Sequence, residues 1–296
     1  MSSTQGNILL AESLASQGIK HCFGIVGIPV IELGFALQAS NINYYGCRNE
    51  QAAAYAAGAV GFMTATPGLC LAVSGPGLTN CISGLANALM NCWPMILVAG
   101  SSDENQKERE AFQEIDQIQA VKPFCKLAIR ITDPQSIPFL VQKACRFAVT
   151  GRPGPVYLDI PGDVLSCSVL TSSIIAVPPP KYLPLALPPF QLLEAASNLI
   201  KQAKRPLIII GKGAAYSFGG GLTNVLKLVE NNNLPFLPTP MGKGLISDEH
   251  SNCVSAARSL ALGKADLVVL VGARLNWILH FGKPPRFDKD VILFGK

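Results

Sequence analysis

The chain has 296 residues, 49% of them hydrophobic and only 15% charged, with a formal net charge of +5. That is apolar material for roughly two domains with real cores, and no apolar run approaches the ~20 residues needed to cross a bilayer. Lys and Arg are dispersed without interleaved aromatics, which argues against a nucleic-acid partner and supports only a weak preference for anionic ligands such as phosphates.

The N-terminus is polar and then amphipathic, with no basic leader, so it does not read as a secretory signal and a soluble protein is expected. Residues 6 to 165 alternate helix and strand. Gly6 to Gln17 is an amphipathic helix; HCFGIVGIP is strand then loop; Val30 to Gln38 is a helix and INYYGC a short strand. A helix is expected from Glu50 to about Met63. PGLCLAVSGPG reads as a buried strand and a Gly-Pro-Gly turn, Leu78 to Asn91 as a helix, and Trp93 to Gly100 as a second buried strand. CKLAIRI is a strand, Pro134 to Thr150 a helix, and PVYLDIP a closing strand. Short apolar strands separated by helices predict a parallel sheet covered on both faces, an α/β fold.

Residues 166–189 are rich in proline and read as an extended linker. The alternation then resumes with helix Phe190 to Ala203, strand Pro206 to Gly211, and helices near Thr223 to Asn231 and Ala256 to Leu262. Strands Asp266 to Gly272 and Asp290 to Phe294 close the chain. The expected organisation is therefore an N-terminal domain over 1–165, a linker over 166–189, and a second parallel-sheet domain over 190–296. Its last apolar strand is followed by no covering helix, which suggests a truncated domain.

Nine cysteines lie mostly inside apolar runs, and none form CxxC, as in a reduced intracellular protein that uses Cys as a small hydrophobe. The three histidines lack ligand spacing, so no metal site is expected.

Several motifs carry alternative readings. GCRNEQAAAYAAGAVG sets Glu50 directly before a run of Ala and Gly. Asn49 is a good N-cap and Glu50 suits the first helical turn, where an acid gains roughly 0.3–1 kcal/mol from the helix dipole. The small side chains also admit close approach by another backbone or a flat ligand. SGPG (74–77) mimics part of a nucleophile elbow but lacks its glycine spacing, and reads as a turn that lets a ligand approach. AFQEIDQI puts Gln113, Glu114, Asp116 and Gln117 in what reads as a solvated loop. LIIIGKGAAY places Lys212 and Gly213 after a strand, without the full dinucleotide fingerprint. A tight turn and phosphate binding remain open there. GARLNW puts Arg274 beyond a buried strand, where open parallel sheets bind ligands, or where an inter-domain ion pair forms.

Taken in order, FGIVGIP, RNEQAAAYAAGA, SGPGLTN, NCWPMILVAGSS, FQEIDQ, GRPGPVYLDIP, KRPLIIIGKGAAY, LPTPMGKG and GARLNWILHFG resemble thiamine diphosphate-dependent enzymes. The resemblance is to the 2-hydroxyacyl-CoA lyase and oxalyl-CoA decarboxylase branch. It implies a pyrimidine-binding domain over 1–165 and most of a central Rossmann-like domain over 190–296. The diphosphate-binding domain and its magnesium ligands (Mg2+) would be missing.

The resemblance also implies roles. Glu50 would hydrogen-bond the aminopyrimidine ring and favour the tautomer that activates the cofactor; a carboxyl group against an Ala/Gly wall is poorly solvated and inclined to share a proton. Val26, Gly27 and Pro29 match the loop facing the partner subunit's cofactor, and Gly75, Gly77 and Asn80 line the pyrimidine side. Gln113 and Glu114 match the active-site loop beside the reacting carbon. Arg152, Lys212, Gly213 and Arg274 become candidates for nucleotide or CoA phosphates.

The activity implied is cleavage of 2-hydroxyacyl-CoA to formyl-CoA and an aldehyde, of the fatty-acid alpha-oxidation type, in a homo-oligomer. Oxalyl-CoA decarboxylation is the alternative. An inactive short chain that pairs with a full-length subunit is the reading from another class. Location in the peroxisome or the cytoplasm follows from the same resemblance, although the terminal FGK is not a peroxisomal signal.

Overall fold

The computed structural model describes residues 2–179, 187–216, 221–285, 287 and 290–294. It divides into two compact units, Met1–Leu183 and Pro184–Lys296. Residues 180–186 of the expected linker lie outside the described residues.

In the first unit the elements run β1 (Ser3–Gln5), α1 (Gly6–Ser16), β2 (His21–Gly24), α2 (Ile31–Ala39), β3 (Asn43–Gly46), α3 (Glu50–Thr64), β4 (Gly68–Ala72) and α4 (Pro76–Asn80). They continue with α5 (Ile82–Asn91), β5 (Met95–Ser101), α6 (Gln117–Val121), β6 (Leu127–Arg130), α7 (Ile137–Val149), β7 (Pro155–Pro161), α8 (Gly162–Ser166) and β8 (Ser168–Leu170). Six of the strands form one parallel sheet in the order β3-β2-β4-β5-β7-β6.

β4, β5 and β7 are buried along their whole length, which is why they read as continuous apolar runs rather than alternating ones. Side chains still alternate between faces. Leu69 and Leu71 of β4 join Leu10, Leu14, Leu37 and Val141 on one side, while Cys70 and Ala72 join Ala54, Ala57 and Leu85 on the other.

Two features depart from the sequence expectation. SGPG is not a free turn: only Gly75 takes a positive φ (+57°), and Pro76 already opens α4, where its fixed φ suits the first helical position. The helix expected over 78–91 is broken at Cys81, whose amide bonds back three residues to Leu78 O (2.9 Å) and tightens the turn between α4 and α5. The proline-rich stretch begins within this unit. β8 pairs antiparallel with β1, and Gln17 Nε2 donates to Val177 O at 2.8 Å. Strands of three residues are too short to show a period.

The second unit holds α9 (Phe190–Gln202), β9 (Pro206–Ile210), α10 (Lys212–Ala215), α11 (Gly221–Asn231), β10 (Phe236–Pro238), α12 (Arg258–Lys264), β11 (Leu267–Val271) and β12 (Asp290–Phe294). Its parallel sheet has the order β10-β9-β11-β12, again with apolar side chains packed on both faces. Each unit is thus a helix-covered parallel sheet, the α/β class that the alternation implied.

Candidate cofactor site

The site grows from where the sheet of the first unit reverses its winding. The chain runs from β2 outward to β3, then returns to β4 on the other side of β2. Ligands bind outside the carboxyl ends of strands at such a switch point. The loops leaving β2, β3 and β4 there, with the helix starts they lead into, carry Val26 to Pro29, Glu50, and Ser74 to Asn80.

Glu50 is placed by the helix it begins. Asn49 is extended, and its side chain accepts the Ala52 amide at 3.1 Å, so α3 starts where a cap and an acid both favour it. The Ala/Gly face of this helix packs on protein rather than on a ligand. Ala53, Ala54, Ala57, Gly58 and Gly61 are buried, and α5 and Pro94 lie against them.

Asn80, at the end of α4, donates to Glu50 Oε2 at 3.1 Å. The other carboxylate oxygen looks toward Gly77: a Cβ built there would lie 3.5 Å from Glu50 Oε1 and only 2.4 Å from Val73 Cγ2. Glycine therefore lets α4 pack directly on Val73 and brings its backbone beside Oε1. Gly27 faces the same Val73, its missing Cβ 2.8 Å from Cγ1. Pro29 packs over Gly100 and Gly162, and Val26 is partly exposed beside Gly34.

The loop after β5 crosses this crevice. Gln113 sits over Gly75 with a left-handed φ of +55°, and Ser74 Oγ donates to its Oε1 at 3.3 Å. Glu108 and Glu110 are left-handed too. Three such non-glycine residues in one loop are the kind of local strain that collects at functional sites. Glu114, by contrast, is turned to its own loop and accepts the amides of Glu108 (2.6 Å) and Ala111 (3.1 Å). Those two amides hold its carboxyl below the usual range.

Gln117 corrects the reading of this segment as solvated: it is only 3% exposed. Its amide joins Gly75 to Asp159, an acid buried within β7 that sequence reasoning passed over. An acid inside an otherwise apolar buried strand was the available signal. Arg130 of β6 pairs with that acid and, at 2.6 Å, with Glu104.

The phosphate candidates separate. Arg152 lies at the amino edge of the first sheet, opposite Glu50, and donates to Cys92 Sγ (2.8 Å) and Met90 O (3.3 Å). Lys212, Gly213 and Arg274 all sit at the carboxyl edge of the second sheet, just past β9 and β11. The glycine there is needed by packing, since a Cβ on Gly213 would lie 2.7 Å from Gly272 Cα. Arg274 is exposed.

Residues 4–120 match the family description "Thiamine pyrophosphate enzyme, N-terminal TPP binding domain", and residues 193–294 match "Thiamine pyrophosphate enzyme, central domain". The chain belongs to the thiamine pyrophosphate enzymes. Within them it is similar to 2-hydroxyacyl-CoA lyase 1 of Mus musculus, 50% identical over 290 residues covering 97% of this chain and 49% of that protein. It is 49% identical over 292 residues to the Homo sapiens protein of the same name, with the same coverage. Oxalyl-CoA decarboxylase of Escherichia coli (strain K12) is 43% identical over 286 residues, 95% of this chain and 50% of that protein. The chain spans about half the length of the curated relatives it matches. The switch-point crevice with Glu50, Gly77 and Asn80 lies within the stretch that matches the thiamine pyrophosphate-binding domain.

Proposed function

We propose that the chain forms the pyrimidine-binding and central parts of a thiamine diphosphate-dependent carbon–carbon lyase that splits 2-hydroxyacyl-CoA into formyl-CoA and an aldehyde. The observation that carries this reading is the Glu50–Asn80 pair at the switch point, with Oε1 beside the bare backbone of Gly77. When bound, thiamine diphosphate supplies the carbon nucleophile that no amino-acid side chain offers.

The chain's own groups bind, orient and move a proton. Asn80 donates to Oε2 and so fixes the carboxylate plane, leaving Oε1 to share a proton with a ring nitrogen. Val26, Gly27 and Pro29 wall the crevice from the β2 loop, and Gly75 and Gly77 from the β4 loop. Gln113, overlying Gly75, faces the substrate side. Glu114 takes part only after leaving the amides of Glu108 and Ala111. Lys212, Gly213 and Arg274 are the candidates for nucleotide or CoA phosphates, and the position of Arg152 does not support its inclusion.

Among the described residues no group of three or more His, Cys, Asp or Glu is placed to hold a metal ion. The reading assigns magnesium and the diphosphate to a C-terminal portion like that of the longer relatives. It also makes the site a shared one, completed by a second subunit of a homo-oligomer. The described helices include none long and apolar enough to cross a membrane, and the reading places the protein in the peroxisome or cytoplasm.

Oxalyl-CoA decarboxylation is the second reading, favoured by the Escherichia coli relative. The experiment is a product assay on the complete protein with thiamine diphosphate, magnesium and each acyl-CoA in turn. Formyl-CoA with an aldehyde from 2-hydroxyacyl-CoA supports the lyase, and faster release of carbon dioxide from oxalyl-CoA replaces it by the decarboxylase. Robust turnover by the 296-residue chain alone would overturn the shared-site part of the reading.

A further inference from the structure

Gln117, a buried polar side chain with four hydrogen-bond partners, has no part in the chemistry above. Gln117 Oε1 accepts the Gly75 amide at 2.7 Å, and its Nε2 shares its two protons among Asp159 Oδ1 (2.6 Å), Tyr157 OH (2.9 Å) and Gly100 O (3.1 Å). The orientation of this amide is forced. A carboxylate and a carbonyl can only accept, and Tyr157 gives its own hydroxyl proton to Asp159 Oδ1 at 2.6 Å. Burial first, and then the neighbouring Asp159 charge, keep that hydroxyl protonated well beyond its ordinary range. The NH2 end must therefore face Asp159, and the oxygen must face Gly75.

Gly75 is the residue that needs holding. Its φ of +57° and ψ of −111° suit glycine alone, and a Cβ there would meet Gln113 O at 2.6 Å. Its carbonyl accepts the Thr79 amide at 3.0 Å, so the first turn of α4 is built on it, and α4 ends at the Asn80 that holds Glu50.

We infer that Gln117 is the positioning residue of the crevice, clamping the Gly75 peptide against Asp159 so that α4 presents Gly77 and Asn80 to Glu50. The inference rests on the pyrimidine-side reading of that crevice, while the clamp itself is measurable without cofactor. In the complete protein, Gln117→Met keeps the side-chain volume and leaves Asp159 its bonds to Arg130, Ser101 and Tyr157. Gln117→Asn keeps the amide but shortens its reach.

Amide hydrogen exchange is the first readout. In Gln117→Met the peptides covering 74–80 and 49–53 should exchange about tenfold faster, with β5 and β7 unchanged. Gln117→Asn should fall between the two proteins, and it carries the test if the Met variant does not fold. Unchanged exchange over 74–80, or an increase spread evenly through β5 and β7, overturns the clamp. The second readout is the thiamine diphosphate concentration for half-saturation, expected to rise about tenfold with a smaller loss in kcat. A wild-type protein that takes up no thiamine diphosphate refutes the cofactor reading and, with it, the crevice role of Gln117. A local exchange change in that case shows the clamp on Gly75 alone.

Discussion

The side-chain amide of Asn80 meets the carboxylate of Glu50 at 3.1 Å, joining residues thirty positions apart in the chain. One oxygen is thereby occupied and the other lies beside Gly77. In the complete protein, Glu50→Gln should lower kcat by about 10²–10⁴ if the acid moves a proton, with little change in the unfolding midpoint. Asn80→Ala should cost less, about tenfold, because it removes one bond to a charged group. Steady-state kinetics beside thermal unfolding check both; near-normal turnover by Glu50→Gln would remove that residue from its role.

The helix carrying Glu50 depends on its cap. Asn49 accepts the Ala52 amide, and Asn49→Ala should lower stability by ~1 kcal/mol while Asn49→Asp is nearly neutral. Urea titration of the two variants measures the difference. Equal stabilities would mean that tertiary packing alone sets the start of α3.

Gly61 should tolerate no side chain. A Cβ there would lie 1.7 Å from Pro94 O, which is backbone and cannot swing away. Gly61→Ala would favour a helix on a solvent-facing surface, but at this buried position it is expected to destabilise by about 1–3 kcal/mol. A stabilised variant in chemical denaturation would contradict the packing described for α3.

Glu114 sets a pH limit on the loop between β5 and α6. Its carboxyl is held below the usual range by the amides of Glu108 and Ala111, so the folded loop favours the ionised form. That contribution is present above the ordinary glutamate value of roughly 4.3 and is lost as pH falls through the lowered folded value. Limited proteolysis should therefore find residues 104–116 increasingly accessible toward pH 3, and Glu114→Gln should already be accessible at neutral pH. Identical digestion of both proteins across that range would refute it.

Most strands and the longer helices of both units were legible because each is long enough to show its pattern in sequence. β4, β5, β7, β9 and β11 are apolar runs bounded by turn residues. β1, β8 and β10 were not, being three residues each and defined by a partner far along the chain. The same distinction divides the site. Glu50 could be singled out because a charge stood before a bland run. Gln117 looked solvated because its neighbours Asp116 and Gln119 are exposed, and a burial fixed by contact with Gly75, Gly100 and Asp159 leaves no local trace. Arg152 lies apart from the other phosphate candidates for a similar reason. A residue's distance from a glycine-rich turn in sequence does not say which end of the sheet it occupies.

The small residues of α3 have a mechanical meaning. With Ala54 against Gly84 and Gly61 against Pro94, the helix has no slack to slide or roll on its bed, since a shift of one residue moves it by 1.5 Å. The carboxylate at its tip is thus the end of a gauge rod, located to within the thickness of a methyl group by residues that carry no chemistry of their own.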